Sequence, residues 1–191
     1  MTSNMTCVVG RVSGMAPLRN VLYVVCDESS TIKRYTADTL RAIGGDIYVE
    51  GMRRPTDIVV CRDDRQLYIA DKDYCIWRVS TDDHSKHVKW LPTESKATTF
   101  HVDTLSLTSH RLLVTSPESR DLRQYSTVDK RLHRAVHLPR HVKRVYHANE
   151  TTRQTFVVGH EGTAQNKKQC AVSELFRFCH ILTSASLGNK Q

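Results

Sequence analysis

Residues 55–80, PTDIVVCRDDRQLYIADKDYCIWRVS, decide how the chain is read. Three apolar runs, DIVV, LYIA and IWRV, are separated by the polar strings RDDRQ and DKDY. Short runs rich in Ile, Val and Tyr between charged clusters predict β-strands joined by tight antiparallel turns. A helix would need apolar residues at steps of three and four, and these blocks are too short to supply them.

The string recurs along the chain. NVLYVVCDESSTIKRYT at 20–36 aligns without a gap on HRLLVTSPESRDLRQYS at 110–126, pairing Leu22 with Leu112, Val24 with Val114, Ile32 with Leu122 and Tyr35 with Tyr125. Leu67 lies midway, 45 residues from each leucine, and a weaker copy starts at Phe156 in TFVVGHEG, 44 residues after Leu112. A period of 44–45 residues with several strands per unit is the mark of β-propeller blades. The expected fold is all-β, a propeller of about four 45-residue, four-stranded blades. The blades are placed at about 5–50, 55–91, 99–138 and 142–182, with a frayed end at 1–4 and a disordered tail at 183–191. In the first blade, Cys7 to Val12 is read as a strand and SGMAPLRN as the loop before Leu22. AVSELFRFCHIL at 171–182 reads equally as strands or a short helix. Four blades can close a ring, or they can form an arc of a larger one that self-associates through its open ends; both readings stay open.

The unit at 55–80 resembles the NHL repeat, and is more distantly similar to the YWTD repeat of receptor propellers. The residues that carry the likeness are Pro55, Leu67, Tyr68, Ala70, Asp71, Ile76 and Arg78. Thr56-Asp57 stands where the NHL pattern has a glycine after the proline, and the third copy has Thr115-Ser116 in place of Ala-Asp. The resemblance implies a non-catalytic binding platform, most often for proteins, in tripartite-motif proteins as the substrate-recognition part of a ubiquitin ligase. Some members of that family bind RNA through a basic face, which is the alternative reading. A metal-dependent lactonase-like hydrolase is the third, with Asp57 and Asp103 as its only candidate channel carboxylates.

Composition sets the outer limits. The chain has 191 residues, 39% hydrophobic and 25% charged, ordinary values for a water-soluble domain. No apolar run is long enough for a membrane span. The first residues lack the basic and apolar regions of a secretory signal, so the six cysteines are expected as reduced thiols and the location as cytoplasmic. The sequons at Asn4 and Asn149 then have no route to modification. The net charge of +8 is uneven: residues 1–100 hold 14 Lys+Arg against 13 Asp+Glu, and residues 101–191 hold 14 against 7.

No nucleophile elbow, phosphate loop or dinucleotide motif is present. His133, His137 and His141 share strand parity, but steps of four residues separate the rings by about 13 Å, too far for one ion. No cofactor and no metal is expected. Asp71 is read as a local hydrogen-bond acceptor for the turn that follows it, and Trp77 and Trp90 as packing residues. The remaining lead is a basic rim. Propeller topology gathers the inter-blade loops on one face, and these carry Arg53, Arg54, Lys96, Arg140, Lys143 and Arg144. The turns on that face, DESS, DKDY and PESRD, offset the charge in part.

Overall fold

The computed structural model describes residues 10–72, 75–92, 101–140, 142–151, 155–161 and 170–176, with only the backbone of Pro92, Lys143, Glu161 and 170–176. Among the described residues, fifteen strands form four antiparallel sheets and there is no helix. The first sheet holds β1 (Val12–Leu18), β2 (Val21–Cys26), β3 (Thr31–Thr36) and β4 (Ile47–Tyr48). The second holds β5 (Pro55–Cys61), β6 (Gln66–Asp71), β7 (Cys75–Ser80) and β8 (His87–Pro92). The third holds β9 (Thr104–Thr108), β10 (Arg111–Thr115), β11 (Asp121–Ser126) and β12 (Leu132–His137). The fourth has three described strands, β13 (Lys143–Glu150), β14 (Phe156–Glu161) and β15 (Cys170–Phe176). In every sheet the strands lie side by side in chain order.

The repeat read from sequence is visible in the register. Leu22 pairs with Tyr35, Leu67 with Val79 and Leu112 with Tyr125, each in the central hairpin of its sheet. The hydrogen bonds of the turns repeat at the same spacing: Ala37 N–H donates to Asn20 O (2.9 Å) and Thr127 N–H to His110 O (2.8 Å). In the second sheet, Thr81 N–H donates to Arg65 O at 2.9 Å.

Strand side chains alternate between faces, and the inner sheets bury both. Leu67, Ile69, Cys75, Trp77 and Val79 pack with Tyr23, Val25, Ile32 and Ile47 of the first sheet. Their strand neighbours Tyr68, Ala70 and Ile76 turn the other way and pack with Leu105, Leu112 and Val114 of the third. Leu113, Leu122 and Val136 meet Val145, Phe156 and Val158 of the fourth. Each fully buried Leu, Ile or Val contributes about 1.5–3 kcal/mol, so no sheet is stable without its neighbours.

The inner strands β1, β5, β9 and β13 pack in succession, and no packing of like extent joins β13 to β1 among the described residues. Side chains latch each step. Ser13 Oγ donates to Pro55 O (2.7 Å), Leu105 N–H donates to Asp57 Oδ2 (2.8 Å), and Ser106 Oγ donates to Ala148 O (2.6 Å).

Two sequence expectations need correction, and one open reading is settled. The stretch VSGMAPL is strand β1, not a loop, while Cys7 lies outside the described residues. Gly14 and Pro17 looked like loop residues, but a Cβ at Gly14 would sit 2.8 Å from Ile58 N, so the close approach of β1 to β5 requires glycine there. The outer strand β4 covers only Ile47–Tyr48 rather than 47–50. Residues 170–176 are a strand, which settles that stretch of the two-way reading at the end of the chain.

Candidate interaction surface

The NHL-like residues build the support for the loop face. Pro55 opens β5 and is buried, as are Leu67, Tyr68 and Ile76; Arg78 is half-buried across the strand from Tyr68. Burial pushes the Tyr68 phenol up to about 12, and the ring meets Trp90 edge-on at 5.1 Å. Asp71 is wholly buried. Its carboxylate accepts from Arg53 N–H at 3.0 Å, Arg54 N–H at 3.2 Å and Trp77 Nε1–H at 3.1 Å. Those backbone donors belong to the loop before β5, not to the turn after Asp71 as expected from sequence. The reason is register: Pro55 pairs with Asp71, so the end of β6 lies beside the entry to β5. Asp71 thereby fixes the backbone that presents the exposed Arg53 and Arg54.

The other rim residues divide. Lys96 lies outside the described residues, and Lys143 is described by its backbone at the start of β13. Arg140 and Arg144 are exposed and line one cleft of about 500 Å³ with Arg120. Pro117, Glu118, Ser119 and Val142 complete it. Arg144 stands at φ 43°, in the left-handed region that a non-glycine residue seldom adopts. Glu118 is the single acid among the lining residues, and its carboxylate lies 3.1 Å from His101 Nε2. No carboxylate lies within ion-pair distance of Arg120 or Arg140 among the described residues. Arg120 was missed because the β10–β11 turn was counted as acidic from PESRD, although this arginine is the fourth residue of that same string.

At the junction of the third and fourth sheets, toward the far end of β13 from this cleft, lies a shared polar cluster. Gln124 Nε2 donates to Glu150 Oε2 (2.6 Å), and an Arg134 Nη donates to Glu150 Oε1 (3.1 Å) and to Gln124 Oε1 (3.2 Å). The Arg134 guanidinium also lies 4.7 Å from the Phe156 ring centre. Glu150 is 5% exposed, so its charge is held inside by these partners rather than by water.

The channel carboxylates have local roles in view. Asp57 accepts from its neighbour Ile58 N–H (2.8 Å) as well as from Leu105. Burial pushes its pKa up against those bonds, and Asp103 is raised by burial and lowered by Lys72. Among the described residues no group of three His, Cys, Asp or Glu side chains is placed to hold a metal. His137 instead pairs with Asp121 at 2.7 Å, His133 is exposed, and His141 lies outside the described residues. Trp90 is 1% exposed and packs in the core, while Lys89 covers Trp77 at 5.4 Å.

No protein-family profile matches the chain, and no curated protein matches it in sequence. Solved structures do match it in three dimensions. The computationally designed Ika4 protein aligns with 81% of this chain and 89% of its own, at 13% identity and a TM-score of 0.61. Hydrazine synthase of Kuenenia stuttgartiensis aligns with 86% of this chain and 47% of its own, at 11% identity and a TM-score of 0.62. A chain in a crystal structure of a nidogen/laminin complex aligns with 80% and 57%, at 13% identity and a TM-score of 0.61. The fold is of the β-propeller type. At these identities the likeness is one of fold alone, and the chain spans about half the length of these two natural chains.

Proposed function

We propose that this propeller is a non-catalytic binding platform whose loop face takes a protein partner carrying acidic side chains. The observation that carries the reading is the cleft lined by Arg120, Arg140 and Arg144, in which Arg120 and Arg140 have no carboxylate partner among the described residues. Guanidinium groups grip carboxylates through paired N–H donors, and a rigid sheet edge holds these in place. The nidogen/laminin structure, by its title a complex of two proteins, supports a platform role only through the shared fold. The NHL-like pattern at 55–80 fits the same role, with Asp71 presenting Arg53 and Arg54 on that face. RNA would need base stacking for specificity. The described loops of this face (27–30, 49–54, 101–103, 116–120, 138–140) contain no Phe, Tyr or Trp, and Tyr74 lies outside the described residues.

The test compares an oligoglutamate peptide with a single-stranded RNA oligomer at low and moderate salt. The native chain is expected to bind the peptide, with affinity falling as salt rises. Arg120→Glu/Arg140→Glu should lose most of that binding, and Arg53→Glu/Arg54→Glu a smaller part. Tighter binding of RNA than of peptide would replace the protein reading by the RNA one. Equal peptide binding by native and charge-reversed chains would remove the loop face from consideration.

A further inference from the structure

The opposite end of the strands carries a second cleft, of about 450 Å³, between the first and second sheets. It opens among the β1–β2, β5–β6 and β7–β8 turns, one strand length away from the loop face. Leu18 and Val21 are partly buried against the core there, and with the buried Tyr23 they form an apolar floor. Arg19, Arg62 and Arg65 rise around it. Arg65 is already matched, its guanidinium 2.6 Å from Asp82 Oδ1. Arg19 and Arg62 have no carboxylate within ion-pair distance among the described residues. Two unmatched guanidinium groups therefore stand over an apolar surface in a space sized for a small molecule.

We propose that this cleft is a binding site for a small organic anion, a carboxylate or phosphate on an apolar body. Arg19 and Arg62 take the charged end, because a planar fork of N–H donors matches two oxygens of either group. Leu18, Val21 and Tyr23 take the apolar body, which gains by leaving water. The Arg65–Asp82 pair forms the wall and holds Arg65 back from the ligand. The phenol of Tyr23, raised by burial, stays neutral and does not repel an anion. Neither arginine belongs to the loop face, so the site is independent of the partner reading given above.

Calorimetric titration with phenyl phosphate, benzoate, inorganic phosphate and acetate tests it. Phenyl phosphate or benzoate should bind more tightly than the matching ion without a ring. Arg19→Ala/Arg62→Ala should weaken that binding by about tenfold or more, the scale of a lost charged hydrogen bond. Both side chains are exposed, and a melting curve confirms that the variant is folded. Asp82→Asn, which releases Arg65, should tighten binding a few-fold, while Arg131→Ala, at the exposed turn between β11 and β12, should leave it unchanged. The ratio of phenyl phosphate to benzoate affinity assigns the head group. No binding by the native chain, binding indifferent to Arg19 and Arg62, or inorganic phosphate as tight as phenyl phosphate would each overturn the proposal.

Discussion

Gly14 shows how one position can govern a whole interface. It lies where the inner strand β1 comes so near β5 that an added methyl group would stand 2.8 Å from Ile58 N and 2.9 Å from Asp57 Cα, both backbone atoms that cannot swing aside. Gly14→Ala is expected to cost about 1–3 kcal/mol, the range for forced overpacking, measurable by urea denaturation. An unchanged midpoint would show that β1 and β5 are further apart than described. Asp103 yields a second expectation at this scale. Burial lifts its folded pKa above the unfolded value of about 3.9. A raised carboxylate pKa means that the folded form binds its proton more tightly, so ionisation weakens folding as pH climbs through that window. Asp103→Asn should therefore raise the melting temperature at neutral pH, and the gain should shrink toward pH 4. A gain that is constant across pH would locate the effect elsewhere.

Among the elements, the hairpins were legible and the inner strand of the first sheet was not. LYVV, LYIA and RLLV announce themselves because each buries consecutive apolar residues, on both faces of its strand. β1 carries Gly14 because of a close approach, which only a neighbouring sheet can supply. The Asp71 bond to the Arg53–Arg54 backbone was likewise hidden, since it joins residues 17 and 18 positions apart through strand pairing. Two of the three cleft arginines, Arg140 and Arg144, could be read from the inter-blade loop, yet Arg120 was obscured by the acids around it. The junction of the third and fourth sheets has its own test. Glu150→Ala would leave the part-buried Arg134 charge without its acid, for an expected loss below the roughly 3–5 kcal/mol of a fully buried pair. Arg134→Met/Glu150→Leu should lose less than the single change, because no lone charge remains. If the double variant loses as much as both singles together, the pair is not acting as a unit.

For the molecule as a whole, the sheets differ in how fully they are covered. The second has described partners on both faces, the first sheet on one side and the third on the other. The third lies likewise between the second and the fourth. In a repeat protein, stability is distributed through such neighbour interfaces. Hydrogen exchange should accordingly be slowest in β6, β7, β10 and β11 and fastest in the short outer β4. Uniform protection over all the strands would mean that the sheets open together, as in a ring whose ends are joined. The period of 45 residues made this stacking readable from sequence. The two clefts were not, because each forms where turns distant in the chain meet across a sheet boundary.

The grip of Asp71 on the Arg53–Arg54 loop has a bearing on how this surface can change over generations. The carboxylate holds two main-chain N–H groups, which every amino acid except proline carries. These two anchoring bonds thus do not depend on which side chains stand at 53 and 54. Drift there can redraw the loop face, switching its charge or adding a ring, while the two main-chain bonds to Asp71 remain. A library randomised at these two positions should return folded chains with proline depleted, and an Asp71→Ala background should erase that distinction.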